Sequence, residues 1–248
     1  MINELPADYQ WPSSFIYPKK YEESFANKPT EALIEKIENY FRKYYYNKVL
    51  LMPSGRAAIA LLIKYKKLNR AHTVYVSKWS SHCLYSTIGA LCNVSSDLVK
   101  PNLILINHKW GTTKRFCNQL NKPLMIEDSV DSIHNKPEGL FPNESSYEII
   151  SLPKIMGSYS GGLIITRDDE FYKYGKEKQK DNQILSKIQS RKKNQAARNE
   201  LPDFETWFYH EFLNFGLDKN ALMDIEANLA NFTKNKEIIS NRREMVHK

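Results

Sequence analysis

Short apolar runs alternate with helix-patterned segments along most of the chain. Six of these runs predict strands, and they read KVLLM, TVYVS, NLILIN, LMIED, YEIISL and GLIIT. Between them, SGRAAIALLIKYKKL and CLYSTIGAL carry helical patterns. Apolar strands separated by helices predict a mostly parallel sheet that is covered on both faces. We therefore predict an α/β fold, a three-layer α/β/α sandwich, in which GLIIT forms an edge strand.

Two amphipathic helices flank this alternation. In TEALIEKIENYFRKYY the apolar residues Leu33, Ile37 and Phe41 recur at four-residue steps, and Thr30 is a suitable N-cap. Near the other end, a long helix is predicted to carry one apolar face, formed by Leu222, Ile225, Leu229, Phe232 and Ile239. We divide the chain into an irregular arm (1–30), a large domain (31–215) and the long helix (216–248). Within the large domain, we expect 168–205 to be an exposed helix or a mobile segment.

The composition fits a protein with an ordinary buried core. Of the 248 residues, 42% are hydrophobic and 26% are charged. The apolar runs are far shorter than the ~20 residues of a membrane helix, and the first residues do not resemble a signal peptide. Three cysteines without a CxxC pair argue against a disulfide framework and against a zinc site, so we predict no metal. We expect a cytosolic protein with buried, reduced thiols.

The charge balance is basic. A net charge of +8 suits an anionic partner, such as nucleic acid, a membrane surface or a phosphorylated small molecule. Lysine is scattered along the chain, however, and no motif of a nucleic-acid-binding module is visible. We interpret the charge as solvated surface and expect neither a nucleic-acid partner nor a membrane span.

Polar clusters follow five of the predicted strands. They read PSGR, SKWSSH, HKWG, EDSVDS and SLPK. In open α/β sheets ligands bind at the carboxyl ends of the strands, so these clusters predict a site. Ser54 and Gly55 form a tight turn that opens a helix, and the free backbone N–H groups of such a turn can hold a phosphate. Simple helix capping explains the same residues.

A carboxylate and a lysine follow two of these strands. Asp128, next to Glu127, is either a helix cap or structural ion pair, or the partner of a positively charged cofactor-ring nitrogen. Lys154 follows Ser151 by three residues. It is either an exposed loop lysine or a nucleophile whose pKa the site lowers. A phosphate turn, an Asp and a Lys stand in the order found in pyridoxal-phosphate (PLP) enzymes of the aspartate-aminotransferase fold.

Five motifs occur in order along the chain: SGRAAI, HKWG, EDSVD, KIMGSYSGG and LMDIEANLANFTKNKEIISNRRE. They resemble SGTAAL, HxYG, EDAAQ, a K…GxxGG loop and the long helix of the DegT/DnrJ/StrS-type family of PLP-dependent sugar aminotransferases, which have fold type I. The resemblance runs in pieces from about residue 31 to residue 245. It implies that 31–215 is a PLP-binding large domain and that the long helix begins a small domain.

The resemblance also implies roles for individual residues. Lys154 would form the internal aldimine with the cofactor and then shuttle protons, and Asp128 would keep the ring nitrogen protonated. The phosphate would be held at two strand ends, by the residues Ser54, Gly55, Arg56 and Ser151.

Three further positions depart from the family's motifs. Asp131 takes the place of a glutamine near the ring hydroxyl. The ring-stacking aromatic has no direct counterpart in WSSH, where His82 or Trp79 would replace it. The family's NYRM, whose Asn and Arg face the site of the neighbouring subunit, is here KNAL, in which Asn220 or Lys219 would serve.

Two functions follow from the resemblance. The first is an aminotransferase that moves an amino group from glutamate or glutamine to a keto group of a nucleotide-linked sugar, for surface polysaccharide. Family sites are built across a dimer interface, so a homodimer is expected. The second is a non-catalytic relative that acts as a binding or partner subunit. This alternative rests on KNAL and on the family's small C-terminal domain, most of which we expect this chain to lack.

Overall fold

The fold is built around one mixed sheet of seven strands. The computed structural model describes residues 29–109, 113–116, 124–131, 139–158, 160–179 and 211–246. The strands are β1 (Lys48–Met52), β2 (Thr73–Val76), β3 (Asn93–Ser95), β4 (Leu103–Asn107), β5 (Leu124–Asp128), β6 (Tyr147–Ser151) and β7 (Gly162–Thr166). Their order across the sheet is β1-β7-β6-β5-β4-β2-β3.

The sheet is mostly parallel, which confirms the predicted α/β sandwich. β2 through β6 pair in parallel, whereas β7 runs antiparallel to both β1 and β6. The prediction that GLIIT is an edge strand is wrong, because β7 lies between β1 and β6 and all five of its residues are buried. A short apolar run does not reveal which strands flank it.

Helices cover both faces of the sheet. They are α1 (Thr30–Tyr45), α2 (Gly55–Tyr65), α3 (His82–Gly89), α4 (Pro153–Met156), α5 (Asp169–Lys178) and α6 (Lys219–Val246), with a 3-10 turn at Glu211–Leu213. Successive strand side chains point to opposite faces. Leu51 and Ile150 therefore pack under α1, α4 and α6, whereas Leu50 and Ile149 pack under α2, α3 and α5.

The helix α1 begins one residue earlier than predicted. Its N-cap is Pro29, with extended backbone (φ −60°, ψ 145°), and Thr30 is already helical. The Pro29 carbonyl accepts the first helical bond, from the Leu33 N–H at 3.2 Å, so the predicted Thr30 cap is wrong. The predicted apolar stripe is confirmed, because Leu33, Ile37 and Phe41 are fully buried.

Side chains bond to the outer backbone edge of β1, which is an edge strand of the sheet. The Leu51 N–H donates to the buried Glu38 carboxylate at 3.0 Å, and Gln179 Nε2 donates to the Leu51 carbonyl at 2.7 Å. Lys176 Nζ also donates to Glu38, at 3.0 Å. Side chains of α1 and of the end of α5 thus occupy backbone groups with which another chain could pair.

The predicted exposed or mobile segment starts as a packed helix. α5 buries Phe171 and Gly175 against β1, while 180–210 and the arm 1–28 lie outside the described residues. Of the predicted α6 face, Leu222, Ile225, Leu229 and Phe232 are buried, and the Ile239 side chain falls outside the description. Within the described ranges, no helix has both the length and the apolar character that a bilayer span needs.

The thiols only partly follow the sequence prediction. Cys92 is buried as expected, but Cys83 is exposed on the first turn of α3, so its predicted burial is wrong. The helix has only three buried residues, and Cys83 lies on its solvent side. Cys117 lies outside the described residues.

Candidate functional site

The carboxyl edge of the sheet gathers most of the predicted site residues. β1, β2, β4, β5 and β6 end at this edge, and the antiparallel β7 begins there. The topology therefore brings four predicted segments together: the turn at Ser54, the end of β5 at Asp128, the end of β6 at Ser151, and Lys154 just beyond.

The turn between β1 and α2 presents the helix N-terminus at this edge. Ser54 is the N-cap, and its Oγ accepts the Ala57 N–H at 3.1 Å. The N–H groups of Gly55 and Arg56 lie in the first turn, where a helix supplies no acceptor of its own. An anion is favoured at this position because the helix dipole adds partial positive charge.

Two glycines allow the turn to pack on β7. A Cβ at Gly162 would lie 2.6 Å from the Ser54 carbonyl carbon and 2.7 Å from the Gly55 nitrogen. Gly161 has φ +112°, in the region that favours glycine, and its N–H donates to the Pro53 carbonyl at 2.7 Å. The backbone of α2's first turn is thus seated directly on the start of β7.

Ser151 joins the same group through strand pairing. It is the last residue of β6, is half-buried, and lies opposite Gly162 in the ladder. Because Gly162 touches the Ser54–Gly55 backbone, the structure brings Ser151 to the predicted phosphate turn.

Asp128 ends β5 on the face of the sheet that α2 covers. It is completely buried, and a Cβ on Gly55 would lie 3.3 Å from Val130 Cγ1, just beyond it. Its carboxylate accepts Asn107 Nδ2 at 2.8 Å and the Val130 N–H at 3.2 Å. Burial raises the pKa of Asp128 to about 6, and the Asp131 carboxylate adds to the rise, while the two hydrogen bonds and Lys154 oppose it.

Lys154 and Asp131 form an ion pair next to Asp128. Lys154 is the second residue of the short helix α4, and its Nζ donates to Asp131 Oδ1. Both side chains are about one-third exposed, at 35% and 29%. Lys154 is therefore a partly exposed residue of a short helix, paired with one carboxylate and close to a second.

The remaining predicted residues are exposed and have no described contact with Asp128 or Lys154. Trp79, which precedes α3, is 77% exposed. His82, the first residue of α3, is also exposed. Asn220 is exposed on the first turn of α6, whose N-terminus is capped by Asp218 Oδ1 accepting the Ala221 N–H at 3.1 Å. Ring stacking by His82 or Trp79 and a site role for Asn220 remain predictions.

The Arg56 side chain was not part of the sequence prediction. Burial lowers the pKa of its guanidinium, and the nearby Cys83 opposes this effect. A cation is thus located between the first turns of α2 and α3, at the same sheet edge.

A second network missed by the sequence analysis supports the end of β5. His108 Nε2 lies 2.7 Å from Glu127 Oε2, and His108 Nδ1 accepts the Lys114 N–H at 3.0 Å. The proton therefore sits on Nε2, which donates to Glu127. Asn143 donates to the same carboxylate through its N–H and its Nδ2, both at 2.8 Å. Burial pushes the pKa of Glu127 up, but these hydrogen bonds outweigh it and lower the pKa.

Asn107 was also missed, although the sequence carried a signal for it. It is the polar last residue of an otherwise apolar strand, in register with Asp128 on the neighbouring strand. A polar side chain at the carboxyl end of a buried strand is worth including in a predicted site.

Comparison with known proteins identifies the family. A family model described as "Putative PLP-dependent aminotransferase" matches residues 37–248. The chain belongs to this family. The predicted cofactor is therefore the cofactor of the family, and the predicted resemblance to PLP-dependent aminotransferases is confirmed. A search of curated protein sequences gave no match.

Solved structures support the fold. DesV of S. venezuelae matches with a TM-score of 0.53 and 14% identity over 82% of this chain and 57% of that one. A DegT DnrJ EryC1 StrS aminotransferase from Brucella abortus gives 0.51 and 13%, over 82% and 59%. The dehydratase ColD, with bound GDP-perosamine, gives 0.52 and 16%, over 81% and 61%. This chain thus spans about three-fifths of the length of these structures, and the likeness shows PLP fold type I.

The described residues fit PLP chemically. The cofactor has an anionic phosphate, a basic ring nitrogen and a carbonyl that an amine can attack. The edge offers a helix N-terminus at Gly55, the buried carboxylate of Asp128 and the amine of Lys154. Asn107 Oδ1, beside Asp128, is buried without a hydrogen-bond partner among the described residues. A buried anion with an open acceptor next to it suits a protonated ring nitrogen.

Proposed function

We propose that this chain is the catalytic subunit of a PLP-dependent aminotransferase, with Lys154 as the residue that bonds the cofactor's carbonyl. The observation that carries the proposal is the location of the Lys154–Asp131 pair beside the buried Asp128, at the edge where α2 begins. Bound PLP would withdraw electrons from the carbon that bears the transferred amino group.

Each residue of the cluster has a distinct task in this proposal. Asp128, in its ionised form, would hold the proton on the ring nitrogen. The Gly55 and Arg56 N–H groups, with Ser54 and Ser151, bind the phosphate.

Asp131 and Lys154 handle the proton at the reacting end. Asp131 pairs with the Lys154 amine, so its carboxylate would be placed to accept the proton that the amine gives up before it attacks a carbonyl. With its amine free, Lys154 would carry a proton between substrate atoms.

We further propose the substrates implied by the family resemblance. The donor is glutamate or glutamine, and the acceptor is a keto group on a nucleotide-linked sugar used for surface polysaccharide. Support for the nucleotide-sugar class comes from a structural neighbour, ColD, whose structure contains GDP-perosamine. The basic chain, with a net charge of +8, agrees with an anionic acceptor.

The test is cofactor attachment followed by donor turnover. Purified protein is mixed with PLP, reduced with borohydride and digested, and mass spectrometry should locate the cofactor on Lys154. Lys154→Arg, which keeps the charge, should remain unlabelled, whereas Lys109→Arg, just after β4, should label like the parent. If Lys109→Arg and Lys154→Arg label equally, attachment is nonspecific and the proposal fails.

Reaction with an amino donor distinguishes an aminotransferase from a non-catalytic binding subunit. Glutamate or glutamine should remove the absorbance of the bound carbonyl form, and a keto-sugar nucleotide should restore it. Attachment at Lys154 without conversion by any amino donor would instead identify a non-catalytic binding subunit.

We also propose a homodimer in which Asn220 completes the partner's site. Lys154→Ala and Asn220→Ala variants would each be inactive alone. A mixture of the two variants should regain about a quarter of the parent's activity if subunits pair at random, and about half if every dimer is a hybrid. One of the two sites in each hybrid contains both intact residues. No recovery in a mixture that light scattering shows to be dimeric would contradict a shared site.

A further inference from the structure

Asn107 is a buried side chain in which one polar atom has a hydrogen-bond partner among the described residues and the other has none. It ends β4, lies opposite Asp128 in the parallel ladder and is only 6% exposed. Its Nδ2 donates to Asp128 Oδ2 at 2.8 Å. Its Oδ1 is buried and has no hydrogen-bond partner within the part of the chain that the structure describes.

The orientation of this amide is set by Asp128. A flipped amide would place Oδ1 against a carboxylate oxygen, so two acceptors would face each other. The ionised Asp128 therefore keeps Nδ2 turned toward itself and leaves Oδ1 beside it without a donor. Buried acceptors are nearly always satisfied, which indicates that a ligand with an N–H or O–H group completes this one.

We propose that Asn107 is a positioning residue for the cofactor's ring nitrogen. Its Nδ2 holds the Asp128 carboxylate in one orientation, and its Oδ1 acts with that carboxylate as a second acceptor for the same N–H donor. This inference rests on the proposed function, because the donor is the protonated ring nitrogen of PLP.

The charges around Asp128 show why a neutral amide matters there. Burial and the Asp131 carboxylate favour the protonated, neutral form of Asp128, whereas Lys154, the Val130 N–H and Asn107 favour the ionised form. Lys154 must react with the cofactor, so it is not a fixed partner for Asp128. Asn107 and the Val130 N–H are partners that persist throughout the reaction.

Two substitutions and one control test the proposal. Asn107→Leu removes donor and acceptor and keeps the branching of the side chain, and Asn107→Ala removes both groups without adding bulk. Ile106→Val is the control, because Ile106 is a buried neighbour on the opposite face of the same strand. All four proteins are titrated with PLP by absorbance, and the bound cofactor, carrying a 15N-labelled ring, is titrated with pH by NMR.

We expect both Asn107 variants to bind PLP roughly ten- to a hundredfold more weakly, the loss typical of one hydrogen bond to a charged group. The pH at which the ring nitrogen loses its proton should fall by about one unit or more, since the supporting anion is itself more easily neutralised. Ile106→Val should change affinity less than about threefold, with the same pH midpoint.

The outcomes are separable. Unchanged affinity and midpoint in either Asn107 variant would overturn the proposal, and so would weaker binding with an unchanged midpoint, which is what a purely structural role predicts. If Asn107→Leu does not fold, the smaller Asn107→Ala gives the answer. A parent protein that binds no PLP would refute the proposed function itself, which is a different result.

Discussion

Replacing Asp128 by asparagine should make the cofactor-free protein more stable and unable to use PLP. Asp128 is completely buried, and its pKa lies at about 6 instead of the ordinary 3.8. Keeping it ionised at neutral pH therefore costs about 3 kcal/mol of folding stability. The amide introduced by Asp128→Asn has no charge to desolvate. It can accept the Val130 N–H, and it can donate to Asn107 Oδ1 if the Asn107 amide turns over. One polar group of Asn107 then lacks a described partner, as one does in the parent.

The pH dependence fixes the sign of the effect. Because the folded-state pKa is raised, the folded chain binds the proton more tightly than the unfolded chain, and the parent loses stability as pH rises from about 4 to 6. The stability gain of Asp128→Asn should be about 3 kcal/mol at pH 8 and below about 1 kcal/mol at pH 4. Equilibrium urea unfolding of both proteins, stripped of cofactor, measures this difference.

The adjacent carboxylate provides the matched control. Glu127 is equally buried, but its pKa is lowered because His108 and Asn143 donate to it. Its ionised form stabilises the fold above its unfolded-state pKa, and this contribution is lost as pH falls. Glu127→Gln should therefore destabilise the protein at pH 8 by about 2 kcal/mol, since the new amide cannot accept from all three donors.

Three results would refute this reasoning. Asp128→Asn could be less stable than the parent at pH 8, its advantage could persist unchanged at pH 4, or Glu127→Gln could stabilise as well. Saturating PLP adds a further check. The parent should gain about 2.7 kcal/mol at a hundred times its Kd, whereas Asp128→Asn should gain much less.

Two further substitutions test the phosphate turn. Gly162→Ala should destabilise the protein by about 1–3 kcal/mol and weaken PLP binding, because its Cβ would lie 2.6 Å from the Ser54 backbone. Gly89→Ala is the control, because a Cβ there would lie 3.7 Å from the nearest atom. Equal losses of stability in urea unfolding would contradict the packing argument. Ser54→Ala should lose about 1 kcal/mol of stability, whereas Ser54→Gly, a better N-cap residue than alanine, should lose only a few tenths, as thermal unfolding can measure. An unchanged stability of Ser54→Ala would show that the cap is unimportant.

The strands were predictable because buried parallel strands read as apolar runs. All five residues of β4 and all five of β7 are buried, and their sequences, LILIN and GLIIT, are almost entirely apolar. β3 was missed because it is only three residues long and none of them is buried, so it depends on pairing with β2 rather than on its own pattern. The one-turn helix α4 was missed because four residues are too few for a helical period.

The location of two predicted site residues at the carboxyl edge was predictable, whereas their roles remain predictions. Asp128 and Lys154 follow strands and have few alternatives in such a role. The ion pair between Lys154 and Asp131, by contrast, joins residues 23 positions apart through a helix that was not predicted. The Glu127 network needs Lys114 and Asn143, whose loops meet only in three dimensions. Strand register, which places Asn107 opposite Asp128, is likewise a property of the sheet and not of either strand alone.

Hydrogen bonding distinguishes Asp128 from two other buried carboxylates, Glu38 and Glu127. Glu38 and Glu127 each accept at least three hydrogen bonds from other elements, so each fastens neighbouring segments to the sheet. Asp128 accepts one short bond and one long one, and the amide that supports it retains an unused oxygen. A carboxylate in this condition is poorly stabilised until a donor arrives. Its incomplete pairing at the sheet edge supports the proposed role beside the cofactor's ring nitrogen.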